Sequence, residues 1–93
     1  MPQNIVIDGT ISCKAAELDM FLAAVAAHLR LSRAEPGCIE FEICQSAHDA
    51  CTFLVAERFE SRAAFEAHTA RTRASVWWSK TRHMARDLVI RQR

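Results

Sequence analysis

From Asn4 onward, apolar and polar residues alternate. Ile5, Ile7 and Ile11 fall on one side with Gly9, and Val6, Asp8 and Thr10 fall on the other. A period of two predicts a strand over Asn4–Ser12. Gly9 weakens its middle and marks a bulge. The period then lengthens. Leu18, Phe21, Leu22, Val25 and Leu29 recur at helical spacing among alanines, predicting a helix from Ala15 to about Leu31. Pro36-Gly37 forbids its continuation and turns the chain.

Alternation resumes over Cys38–Ser46, with Ile39, Phe41 and Ile43 opposite Cys38, Glu40, Glu42 and Cys44. A polar break at Ser46-Ala47-His48-Asp49 follows, and then a further strand over Cys51–Glu60. The short link makes these two strands an antiparallel hairpin. In the second strand Phe53, Val55, Glu57 and Phe59 share a face, and Leu54, Ala56 and Arg58 share the other. Apolar groups on both faces predict a central strand covered on both sides. Glu57 is the anomaly: a lone carboxylate between Val55 and Phe59 is costly to bury unless a basic or histidine side chain meets it.

Ser61 caps the next helix, whose inner face carries Ala64, Phe65 and His68. From Arg71 to Lys80 the pattern is weakly helical, with Val76, Trp77 and Trp78 as its apolar content. His83–Ile90 alternates as a last strand through Met84, Arg86, Leu88 and Ile90. The order is β-α-β-β-α-β with the second helix broken in two. This is the α+β, ferredoxin-like plan of a four-stranded antiparallel sheet with helices on one face. The 93 residues predict one domain spanning 1–93. A chain this short often completes its core with a second copy, and the bare sheet face is the place for it.

Charge changes the picture in one respect. Up to Ala70, five Lys/Arg face ten acids, and from Arg71 on, seven face Asp87 alone. A basic C-terminal end on an acidic body reads as solvated surface, or as a complement to the acidic body across a dimer. The sheet strands lack the exposed aromatic pairs on which bases stack, which argues against nucleic acid. Cys13, Cys38, Cys44 and Cys51 are unevenly spaced, Met1-Pro2-Gln3-Asn4 is a polar start, and no run reaches membrane-span length. These features predict a cytoplasmic protein with reduced cysteines and no membrane partner. Cys44, His48 and Cys51 straddle a tight hairpin with no matching fourth ligand, so a metal is not expected.

Two side-chain groups carry candidate chemistry. His68, on an inward helix face and with an ordinary pKa near neutrality, suits proton abstraction from a phenol, supported by Glu57. A core histidine bonded to a backbone carbonyl or to Glu57 is the plainer role for the same residue. Trp77 and Trp78 point about 100° apart on a helix, so one paves a pocket for a flat aromatic and the other lies at a rim or interface. Phe21, Val25, Phe41, Phe53, Val55, Phe59 and Phe65 are expected to line the core or pocket. Arg58, Arg73, Arg82 and Arg86 are candidates to hold a substrate oxyanion, and nothing in the sequence chooses among them.

Glu35-Pro36-Gly37-Cys38, Phe41, the Ser46…Asp49 turn, Phe53…Glu57-x-Phe59 and Ala64-Phe65-x-Ala67-His68 together resemble the antibiotic biosynthesis monooxygenase family. The resemblance runs from about Asn4 to the end and includes the quinol monooxygenases. It implies a dimeric α/β barrel in which the sheets of two protomers pack together. It also implies oxygenation of a quinol or polyketide-type aromatic without metal, flavin or haem cofactor. In that chemistry the substrate anion reduces dioxygen, while the protein supplies a dry pocket, a base and a hold on the oxyanion. Within that chemistry the candidates read from the residues are His68 and Glu57 as catalytic residues, with Phe21, Arg58, Phe59, Phe65, Trp77 and Trp78 expected around the substrate. At Phe59 the sequence departs from a pattern that often has Trp, and Phe59 stacks but cannot donate a hydrogen bond. The family also holds haem degraders, which use a helix histidine, a Trp and a first-strand Asn. Of these, His68 and Asn4 have counterparts here and the Trp does not. It holds isomerases too. A non-catalytic dimeric binding or stress-response protein is the alternative of another class.

Overall fold

The computed structural model describes residues 3–93, and the start Met1-Pro2 lies outside the described residues. The strands are β1 (Ile5–Ser12), β2 (Cys38–Gln45), β3 (Thr52–Phe59) and β4 (Ala85–Gln92). The helices are α1 (Leu18–Arg33), entered through a 3₁₀ turn at Ala15–Glu17, then α2 (Arg62–Arg73) and α3 (Val76–Thr81). The strands form one antiparallel sheet in the order β2-β3-β1-β4. This is the ferredoxin-like α+β plan. Within the protomer the sheet is open, with β2 and β4 as its edges.

Local chemistry explains the boundaries. Ser61 Oγ accepts from the Ala64 amide (3.1 Å) and Ser75 Oγ from the Trp78 amide (3.3 Å), so α2 and α3 each begin at a serine cap. Gly37 takes φ +83° in the turn after α1. Gly9 is not the site of a bulge. Its register runs unbroken against Val55 and Leu88, and the irregularity falls instead between Cys38 and Glu40. Gly9 is needed for close approach: at φ +151°, a Cβ there would stand 1.9 Å from the Asp87 carbonyl oxygen. The last strand also starts two residues later than the alternation suggested, because Met84 still closes the α3 turn onto Thr81 (3.0 Å).

The helices cover one sheet face. Phe21 on α1 meets Phe53 (4.5 Å between centroids) and Trp77 (5.4 Å) at the centre of the core. The buried stripe of α1 is Phe21, Val25, His28 and Ser32, so Leu22 points outward and is 43% exposed. The opposite face is uncovered in the protomer. It carries Leu54 (53% exposed) and Val89 (55%) among Glu40, Glu42, Asp8, Arg58 and Arg91. The strand predicted to be covered on both sides, β3, is central but covered on one. No helix among the described residues is long and apolar enough to cross a membrane.

Part of the basic excess of the C-terminal end is used inside the chain: Arg71 pairs with Glu35, Arg91 with Asp8, and Arg86 turns inward.

Candidate functional site

A cavity of about 200 Å³ opens between the helices and the sheet. Its floor comes from inward-facing strand positions: Ile7 and Ile11 on β1, Ile43 on β2, Val55 and Glu57 on β3, and Arg86, Leu88 and Ile90 on β4. Its roof comes from His28 on α1, Phe65, His68, Thr69, Thr72 and Arg73 on α2, and Trp77 and Trp78 on α3. The walls are mostly apolar, with a few convergent polar groups.

One polar group is a relay that begins outside the cavity. Glu35, in the turn after α1, receives the Arg71 Nε–H on one oxygen. Its other oxygen lies 2.8 Å from His68 Nδ1. Arg71 also donates to Ser32 Oγ (2.9 Å), fixing α2 against the end of α1. A carboxylate only accepts, so His68 carries its proton on Nδ1 and presents Nε2 as a base. Nε2 accepts from Thr72 Oγ (3.3 Å) and lies 3.9 Å from Glu57 Oε1. The ring is wedged among Phe59 (4.8 Å), Phe41 (5.2 Å) and His28 (5.9 Å). Burial holds the His68 pKa below its ordinary value, against the upward pull of Glu35.

Glu57 is the second polar group. Burial, and then the charge of Glu35, push its pKa up to about 7, with Arg86 pulling the other way. A carboxyl so poised exchanges its proton near neutral pH, which is what an acid or base of catalysis requires. The expected histidine partner is present, at 3.9 Å, while the direct hydrogen bond of His68 goes to Glu35.

Arg86 brings a guanidinium to the cavity. Its guanidinium donates to the Thr81 carbonyl (2.7 Å) and Thr81 Oγ (2.8 Å) at the C-terminal end of α3, and it lies 5.1 Å over the Trp78 ring. Arg73 lines the same cavity.

The sequence-predicted site residues separate into groups. His68, Glu57, Phe65, Trp77 and Trp78 come together on the cavity. Trp77 is the buried indole and Trp78 the half-buried one. Phe59 and Phe21 are fully buried and stand behind it: Phe59 against His68 and Phe65, and Phe21 against Phe53 and Trp77. Arg58 does not reach the cavity. Strand alternation sends it to the other sheet face, where it lines a surface groove with Arg33 and Glu40. Arg82 is exposed at the end of α3.

Sequence reasoning missed His28, Glu35, Arg71 and Thr72. His28 had a signal, since it continues the Phe21–Val25 stripe at helical spacing. Glu35 opens the Glu35-Pro36-Gly37-Cys38 run of the family resemblance but was not read as a site residue, and no local pattern joins it to Arg71, 36 residues away. No group of three or more His, Cys, Asp or Glu among the described residues is arranged to hold a metal ion.

The chain is similar to known proteins over nearly its whole length. The family model for antibiotic biosynthesis monooxygenase matches residues 4–85. A Nitrosomonas europaea protein provisionally named an antibiotic biosynthesis monooxygenase is 28% identical, with a TM-score of 0.86, over 98% of this chain and 90% of that one. Two proteins that share the fold are provisionally named the same way. One, from Bacteroides thetaiotaomicron, has 20% identity and TM-score 0.80, covering 94% and 84% of the two chains. The other, from Deinococcus radiodurans, has 20% identity and TM-score 0.74, covering 96% and 89%. No curated protein matches this chain. With the family model spanning nearly the whole sequence, the chain belongs to the antibiotic biosynthesis monooxygenase family.

Proposed function

We propose that this protein is a cofactor-independent monooxygenase that oxidises a quinol or polyketide-type aromatic with dioxygen. The observation that carries the reading is the placement of Glu57 and His68 Nε2, 3.9 Å apart, on the wall of an apolar cavity. The substrate hydroxyl loses its proton to this pair. The resulting anion passes one electron to dioxygen, and the aryl radical and superoxide recombine at a ring carbon bearing hydrogen. The hydroperoxide takes back the proton and loses water, leaving a carbonyl at that carbon. One oxygen atom enters the product and the other leaves as water. The chain supplies the base, apolar walls that exclude water, and the Arg86 guanidinium beside the developing oxyanion.

The cavity favours this reading over the alternatives. Its interior is open rather than filled by the protein's own side chains, which supports a ligand-using protein. We assign the bare sheet face to a homodimer contact, with Leu54 and Val89 at its apolar centre, and the 93 residues to one domain working in the cytoplasm with reduced thiols.

The test is oxygen uptake by the metal-free protein with dihydroxynaphthalenes and anthrones. Uptake above autoxidation, lost in His68→Ala with the fold intact, is the expected result. No uptake from any member of the panel overturns the reading and leaves a non-catalytic dimer or an isomerase.

A further inference from the structure

His28 is a buried polar side chain without a hydrogen-bonding role. It is 4% exposed, and its Nδ1 has no hydrogen-bond partner and is shut off from solvent. Its ring lies flat on Trp77, with centroids 4.4 Å apart and planes 1° from parallel, and edge-on to Phe41 at 5.2 Å. Burial pushes its pKa down to about 3, so the imidazole is neutral. A residue needed only to fill this space would be apolar, because a buried nitrogen without a partner is destabilising. The ring also forms part of the cavity wall, beside His68. Because it is coplanar with Trp77, a half-turn about Cβ–Cγ exchanges its two edges without breaking the stack, so a nitrogen can be offered on either side.

We propose that His28 is the recognition residue of the cavity, hydrogen-bonding a hydroxyl or carbonyl oxygen on an aromatic ligand. The proposal rests on the aromatic-ligand part of the reading above and deepens it. A neutral imidazole both accepts and donates. It therefore accepts a bond from the hydroxyl of a reduced substrate and donates one to the carbonyl of the oxidised product, which a cationic ring could not do. A dry cavity of roughly 150 Å³ accepts benzene, so about 200 Å³ has room for a flat aromatic ring. With His28 and His68 ring centroids 5.9 Å apart, the oxygen recognised by His28 lies beside the proton-transfer pair.

The test compares 1-naphthol with naphthalene, which lacks only the hydroxyl, by equilibrium dialysis without oxygen. Wild type is expected to bind 1-naphthol about tenfold more tightly than naphthalene. His28→Phe is expected to lose about fivefold or more of that preference while keeping its naphthalene affinity. An unchanged preference in a folded His28→Phe protein overturns the proposal, and so does failure of wild type to bind either compound. Should His28→Phe not fold, wild-type protein decides. The ¹⁵N resonances of the His28 ring are expected to move with 1-naphthol and stay in place with naphthalene, and the absence of a 1-naphthol-specific shift overturns the proposal. Oxygen uptake is scored separately. A His28-dependent preference without uptake supports this inference and removes the monooxygenase reading. Uptake with a preference indifferent to His28 does the reverse.

Discussion

His68 Nδ1 lies 2.8 Å from Oε1 of Glu35, a residue 33 positions earlier in the chain and outside the cavity. That contact fixes which nitrogen of His68 faces Glu57, so a residue outside the cavity orients a side chain on its wall. Glu35→Gln is expected to keep the fold and slow oxygen uptake by about 10²-fold or less. His68→Ala is expected to cost about 10²–10⁴-fold, the usual contribution of a general base. Steady-state uptake on both variants measures this. If Glu35→Gln matches wild type in rate and in pH profile, Glu35 has no positioning role.

Glu57 is expected to make both activity and stability depend on pH. With its pKa pushed up to about 7, the basic carboxylate form grows as pH rises through 7, and activity should rise with it. Stability runs the opposite way. Between the ordinary carboxyl range and pH 7 the folded state holds a proton that the unfolded state has released, so folding weakens as pH rises across that window. His28 and His68, with lowered pKa values, slope oppositely, losing stability as pH falls below the ordinary histidine range. The difference between wild type and Glu57→Gln isolates the carboxyl. The variant is expected to gain on wild type by on the order of 1–3 kcal/mol between pH 5 and 8, measured by urea unfolding.

Gly9 tests the sheet. A Cβ there meets the Asp87 carbonyl at 1.9 Å, in a backbone conformation that L residues rarely adopt. Gly9→Ala is expected to destabilise the protein by about 2 kcal/mol or more. A urea midpoint equal to that of wild type would show that β1 and β4 do not approach this closely.

Leu54 tests the bare sheet face. It is 53% exposed in the protomer although it lies on a central strand. Leu54→Lys is expected to convert a dimer to monomer at micromolar concentration by analytical ultracentrifugation, with protomer secondary structure retained. Wild type sedimenting as a monomer would remove the dimer assignment.

The element order was legible from the sequence, because alternation, helical spacing and breakers are local. Val55, Glu57 and Phe59 announce a strand face through their own spacing, Ser61 announces a helix start, and Pro36-Gly37 announces a turn. The family resemblance and the pairing of His68 with the cavity followed from the same positions. Tertiary structure decided what spacing cannot carry. Leu22 and His28 both fit a helix, but only the packing of α1 on β2 and α3 turned Leu22 outward and His28 in. Arg58, Arg73, Arg82 and Arg86 were equivalent until the fold sent Arg58 to the far face and anchored Arg86 on Thr81. The Arg71–Glu35–His68 relay joins a turn to a helix across more than 30 residues, and no local pattern encodes a contact at that separation. The order of elements follows from the chain's periodicity, whereas the Arg71–Glu35–His68 contacts exist only once α2 packs against the end of α1.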